Sequence, residues 1–149
     1  MIIIIIIINN NKENATLLGT PLTDGPALND ALAARCADLD WAIGRLSLLP
    51  AHDALTLLKS SFSAPKFMHT LRCSPFHSHE ALHKFDDLLR TGLGNITNLS
   101  ISDIHWVQAS LPVNIGRLGV RRVTSLALPA FLASAAATYT LQSLLNNNK

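Results

Sequence analysis

The chain has 149 residues, and 12 Lys and Arg against 10 Asp and Glu leave it a net charge of +2. That charge is too small to argue by itself for nucleic-acid binding. The length suits one domain, which would bury about two thirds of the surface its unfolded chain exposes. Aromatic residues make up only 5%, so the core must be built from Leu, Ala, Ile and Val, a composition that favours helices. Cys36 and Cys73 form no C-x-x-C pair. This argues against cysteine-based metal or redox chemistry and suits a reducing, intracellular compartment.

The first segment, 1–14, reads MIIIIIIINNNKEN, and the last, 146–149, reads NNNK. Ile, Asn and Lys can all be encoded by A and T alone, so both tails read as translated AT-rich repeats. A signal peptide is disfavoured at Ile2–Ile8, since no basic segment precedes the run and asparagines follow it. As a helix this run would reach only ~10 Å, far short of a bilayer. It raises mean hydropathy to +0.27 and is an aggregation hazard wherever it is exposed.

Between the tails, 15–145 reads as one helical region. The apolar stretch 15–22 predicts at most one short strand, ended by Gly19 and Pro21. A turn at 23–26 follows, with Pro26 suited to a first helical position. Leu28, Leu32, Cys36, Leu39, Ile43 and Leu46 then recur at steps of three and four. This predicts an amphipathic helix over 27–49, stopped by Pro50, with Cys36 as a buried structural thiol. A second helix is expected from Asp53, with Leu55, Leu58 and Phe62 on one face. Pro65 should kink or break it, because proline lacks the backbone donor and clashes with the preceding turn. The segment 66–72 continues as helix, and 73–76 is a break. Ser78 is the expected cap of a helix over 79–91, which Gly92 and Gly94 should end. Ser102 or Asp103 should cap a short helix ended by Pro112. The segment 114–119 is a glycine-bearing turn. An Ala-rich helix over 120–140 should be interrupted at Pro129. The fold class expected is mainly α: an irregular bundle of about four to six helices.

One stretch spells two active sites. HSHEALHKFDD, 77–87, contains His79-Glu80-Ala81-Leu82-His83, the H-E-x-x-H pattern of zinc proteases. On a helix, His79 and His83 share a face and Glu80 could activate a metal-bound water. A third protein ligand is needed. The extended motif wants Gly and His at 86 and 89, which are Asp86 and Leu89, and no Glu follows Glu80. Asp103 or His105 could substitute, and a weak surface site from His77, His79 and His83 would say nothing about role. The reading preferred here is a solvent-facing pair opposite the Leu82, Phe85 and Leu89 stripe, with no metal and no cofactor. Phe85-Asp86-Asp87 resembles a polymerase metal-binding turn, which requires a spacer after the aromatic residue and a β-hairpin. Neither is present, so both acids are expected on the wet face of the helix.

No nucleophile motif, phosphate-binding loop or dinucleotide glycine pattern occurs. Three sequons, at Asn14, Asn95 and Asn98, carry little weight without a signal peptide. Arg117, Arg121 and Arg122 form a small basic cluster, either a solvated helix start or a contact to a phosphate backbone.

Several segments, taken in order, are similar to one family. LLGTPL, 17–22, resembles the YLGxPL-like strand that follows the catalytic palm in reverse transcriptases of non-LTR, LINE-type retrotransposons. ASLPVNIGRLGVRRVTSLALPAFLAS, 109–134, resembles their downstream LP...GGLGxRxxxxxxxPAxLAS segment. LNDALAARCADLDWAIGRL and LLKSSFSAPKFMHTLRCSP are similar to the helices between. The resemblance covers about 15–145. It implies a thumb and post-polymerase connection separated from fingers and palm, so no catalytic Asp carries over and no enzymatic activity is expected. Lys66, Arg72, Arg121 and Arg122 match basic positions of the pattern. Arg117 replaces the second glycine of GGLG, which would strain a turn that needs a positive φ there or mark a relaxed one.

The function these observations imply is a non-catalytic reverse-transcriptase fragment. At most it would bind an RNA or DNA duplex weakly through Lys66, Arg72, Arg117, Arg121 and Arg122. The alternatives are a zinc-dependent hydrolase at His79, Glu80 and His83, and a helical protein-interaction module that self-associates through an exposed apolar face. No membrane partner is expected.

Overall fold

The computed structural model describes residues 16–17, 20–21, 25–73 and 76–146. The tails 1–14 and 147–149, the first half of the turn at 23–26 and the centre of the break at 73–76 lie outside the described residues. The fold is mainly helical, as composition and periodicity imply. The apolar run near the N-terminus supplies a minimal antiparallel hairpin, β1 (Thr16–Leu17) and β2 (Thr20–Pro21), with Thr16 opposite Pro21 and Leu17 opposite Thr20.

Helix α1 (Pro26–Leu46) begins with Pro26 at its first position, where the missing N–H costs nothing. It ends before the turn at 47–49 rather than at Pro50 itself. Its buried stripe is Leu28, Leu32, Cys36, Leu39, Ile43 and Leu46. Burial pushes the Cys36 thiol pKa up, and its Sγ lies 3.7 Å from the Ala81 carbonyl oxygen that it contacts as a donor. It is a small core residue there.

Pro50 precedes α2 (Ala51–Leu57), so this helix starts earlier than Asp53, which stands in its first turn. The chain then widens into a π-helical turn, Leu58–Phe62. Ser63 closes that turn: its N–H donates to the Leu58 carbonyl at 2.9 Å and its hydroxyl to the Lys59 carbonyl at 2.7 Å. Pro65 falls in the first turn of α3 (Ala64–Cys73), where its missing donor is harmless. The break expected at this proline is therefore carried by Ser63, two residues earlier.

Helix α4 (Glu80–Thr97) is the central element and packs along α1. Its cap is His79 and not Ser78. Gly92 and Gly94 do not end it. A Cβ on Gly92 would fall 2.7 Å from Ile43 Cγ1, so the glycine lets α1 and α4 approach closely. A Cβ on Gly94 would fall 2.9 Å from the Leu99 carbonyl oxygen, where the chain folds back. The helix stops at Asn98, whose left-handed backbone (φ 52°) is a C-terminal cap. Arg90 then ties down the following loop, donating through Nε to the Ile101 carbonyl at 2.9 Å and through Nη1 to Asp103 at 2.6 Å.

Helix α5 (Asp103–Ser110) starts at Ser102, whose hydroxyl oxygen accepts from the His105 N–H. A 3₁₀ turn (Val113–Ile115) leads into the loop before α6 (Val123–Asn146). Pro129 does not interrupt α6. Pro129 and Ser125, whose carbonyl loses its helical donor, are both exposed, so solvent can supply the missing bond. The core runs through α1, α3 and α4 and closes on Trp106, Val120, Val123 and Ala127. At its centre Phe67 and Phe85 meet edge to face, with centroids 4.4 Å apart. Among the described residues no helix is long and apolar enough to cross a membrane.

Candidate nucleic-acid interface

The five basic side chains singled out from the sequence divide into two groups. Lys66, on α3, is half-buried and its Nζ lies 3.6 Å from Asp38 Oδ2, so its charge is offset by a neighbour. Arg72 is exposed on α3, and among the described residues it has no acidic partner. The other three, Arg117, Arg121 and Arg122, stand on the segment between α5 and α6.

That segment is shaped by glycine. Positive φ falls at Gly116 (78°) and Gly119 (71°), and Arg117 is not among the residues that adopt it. The strain that a side chain at position 117 would carry in such a turn does not arise, because the neighbouring Gly116 takes the left-handed conformation. The Gly119 N–H donates to the Leu111 carbonyl at 3.0 Å and the Val120 N–H to the Ala109 carbonyl at 3.1 Å, which lays the segment back against the end of α5.

A fourth cation joins this segment from a different element. A Cβ on Gly119 would lie 3.4 Å from Lys59 Cε and 3.5 Å from Lys59 Nζ, so the Lys59 side chain crosses the turn. Among the described residues Lys59, Arg117, Arg121 and Arg122 make no ion pair. Lys59 lies on the π-helical turn, 60 residues from Gly119 in sequence. Nothing in the local pattern announces this meeting, which depends on how α2 and the π turn pack.

Arg122 is half-buried, and its Nε is buried without a hydrogen-bond partner. Its charge faces Asp86. The position of Asp86 overturns the expectation that both acids of Phe85-Asp86-Asp87 are wet. Asp87 is exposed, but Asp86 is only 5% exposed. Its carboxylate accepts the Val123 N–H at 2.7 Å, the Thr124 N–H at 3.2 Å and the Thr124 hydroxyl at 2.5 Å. Asp86 thus caps α6 from a separate helix and satisfies donors that the first turn of α6 leaves open. Burial is the largest influence on its pKa and raises it. The three hydrogen bonds and the Arg122 charge act against that rise. Asp86 already occupies the first two amides of α6, those of Val123 and Thr124, so these donors are not open to a phosphate.

The histidine pair is also divided. His79 Nδ1 accepts the Ala81 N–H at 3.1 Å and its Nε2 lies 2.8 Å from Asn29 Oδ1. With Nδ1 as acceptor, Nε2 carries the proton and donates to Asn29, so both ring nitrogens are engaged. His77, Glu80 and His83 are exposed. Among the described residues no three His, Cys, Asp or Glu side chains are placed to hold a metal ion.

No protein-family model matches the chain, and no curated protein or solved structure matches it significantly.

Proposed function

We propose that this chain is a non-catalytic helical module, descended from the thumb and connection of a non-LTR retrotransposon reverse transcriptase, that binds the backbone of an RNA–DNA duplex weakly. The observation that carries this reading is that Lys59 crosses the Gly119 turn, two residues before Arg121, and that neither cation makes an ion pair among the described residues; Arg122, one residue further, has its charge set against Asp86. Arg117 extends the same segment, and Arg72 supplies a further unpaired cation on α3. Lys66 contributes least, because Asp38 competes for it. The resemblance of 109–134 to the family segment supports the assignment of origin.

Fluorescence anisotropy with a labelled RNA–DNA hybrid, titrated at several salt concentrations, tests this. Three to four phosphate contacts predict a slope of log K against log salt of about −3. The paired substitution Lys59→Gln and Arg121→Gln should reduce that slope by about 2. No binding at low salt, or an unchanged slope in the double variant, defeats the reading.

A second reading, self-association, has an observation of its own. Ile104 and Val107 are spaced to share a face of α5 and are exposed, as is Leu111 at its C-terminal cap, and Val113, Ile115 and Leu118 continue the apolar surface beyond it. Concentration-dependent sedimentation would detect the association.

A further inference from the structure

The concave face between the end of α4 and α5 shares only Arg117 with the duplex reading. A cavity of about 450 Å³ beside it is filled on one side by the Arg90 staple, whose guanidinium is already committed to Ile101 and Asp103. The neighbouring cavity is different. It has a volume of about 330 Å³ and is lined by Leu93, Ile101, Ala109 and Leu118, with Arg117 and Gln108 among its polar residues. Leu93 and Ala109 are buried and form its floor. Arg117 and Gln108 are exposed and stand on its open side, as does His105. No acidic side chain lines it. Asp103, the nearest acid in sequence, is held by Arg90 on the other side of the loop.

We infer that this cavity is a binding site for a small carboxylate with an apolar tail. An apolar floor excludes water from an alkyl chain and rewards its burial. A single unneutralised guanidinium at the opening gives the only full charge, and its planar fork matches a carboxylate in two-point contact. Gln108 adds amide donors beside it. A neutral apolar ligand would leave Arg117 unused, and a cation would be repelled by it. At about 30 Å³ per non-hydrogen atom, the volume a water takes in the liquid, the cavity holds roughly ten such atoms. That is the size of octanoate. The site shares Arg117 with the proposed duplex surface but not Lys59 or Arg121, so substitutions at Lys59 and Arg121 separate the two.

The test is an amide-resolved NMR titration of the full chain with octanoate and, in parallel, octan-1-ol. Octanoate should shift amides in 97–101, 105–109 and 116–118 in a saturable manner below 1 mM ligand. Arg117→Gln should weaken octanoate about fivefold while changing octan-1-ol less than twofold, since it removes charge and keeps shape. Leu118→Asn should weaken both ligands. Arg121→Gln should leave octanoate binding unchanged while reducing affinity for the hybrid. The octan-1-ol arm doubles as the control that the Arg117 variant remains folded. No saturable shift at 1 mM overturns the site. Shifts centred on Ile104 and Val107, the outer face of α5, overturn it equally, as does equal weakening of acid and alcohol by Arg117→Gln.

Discussion

The half of the molecule formed by α1, α3 and α4 and the half formed by α5, the glycine turn and the start of α6 solve the same problem differently. In the first, apolar stripes bury one another almost completely, and Phe67, Phe85, Leu32 and Leu89 are fully enclosed. Even its large exposed residue, Trp41, is covered on one face by the Arg45 guanidinium, 4.9 Å from the ring centroid. In the second, Trp106, Ala109, Val120, Val123 and Ala127 are buried and Leu126 and Ala130 partly so, while Ile104, on the same short helix as Trp106, is 71% exposed. Here the chain is held by polar and backbone contacts: the Asp86 cap, the Arg90 staple and two hydrogen bonds back to α5. The lesson is that a well-buried scaffold, which α6 joins by packing on α3 and α4, can carry a segment, α5 and the glycine turn, whose position rests largely on a few directional contacts. That segment is also where the free cations lie.

The sharpest way to break the comparison is to damage the scaffold. Phe85→Ala removes the ring that meets Phe67 and opens a cavity in the centre of the core. It should cost about 3–5 kcal/mol, read by urea denaturation, and lower the transition of the whole molecule. A loss under 1 kcal/mol would mean that the core is not organised around this pair.

Next in size is the contact that joins the halves. Asp86→Ala leaves the Val123 and Thr124 N–H groups without their acceptor and Arg122 without its facing charge. The cost should be about 2–4 kcal/mol, combining a lost cap with buried unpaired donors. Asp86 also gives a pH signature. Its pKa is raised in the folded state, chiefly by burial. Between the unfolded value, about 3.9, and that raised value, the native state holds a proton that the unfolded chain has released. The Asp86 contribution to stability is therefore greatest below the unfolded pKa and declines as pH rises through the folded one. Denaturation of the wild type and Asp86→Asn across acid to neutral pH should show the wild-type advantage shrinking as pH rises. An advantage that grows with pH would reverse the assignment.

Much of the scaffold was legible in the sequence, and the reasons for the exceptions are physical. The α1 stripe is a regular 3.6-residue pattern with proline at each boundary, so its buried face follows directly. Asp86 was legible too. Its spacing from Leu82, Leu89 and Leu93 puts it on the buried stripe, but an acid read by its charge alone is assigned to solvent. Gly92 was misread because a glycine at a helix end and a glycine at a close helix crossing look alike until the partner, Ile43, is known. Pro129 looked like a break because spacing cannot say that the orphaned carbonyl faces water. Lys59 had no local signal at all, since its place over Gly119 is set by tertiary packing. The cations singled out from the sequence thus omitted Lys59 and included Lys66, whose pairing with Asp38 crosses from α3 to α1.

A smaller effect is expected at the turn itself. Gly119→Ala forces a side chain into a φ of 71° and brings a Cβ to 2.9 Å from Val113 Cγ2. It should cost about 1–2 kcal/mol and displace Lys59. Hybrid affinity should fall together with stability, which distinguishes it from Arg121→Gln, where only affinity changes. Unchanged hybrid binding in a folded Gly119→Ala protein would detach Lys59 from the interface.

The smallest effect on stability should come from the outer face of α5. Ile104 is largely exposed and touches little of the core, so Ile104→Ser should change unfolding free energy by less than about 0.5 kcal/mol. If Ile104, Val107 and Leu111 form a contact between copies of the chain, the same substitution should abolish concentration-dependent sedimentation, because a serine removes the apolar area that only association can bury. The two measurements together separate a surface that is merely tolerated from one that is used. A destabilised monomer would place Ile104 in the fold after all, and association that survives the substitution would move the contact away from α5.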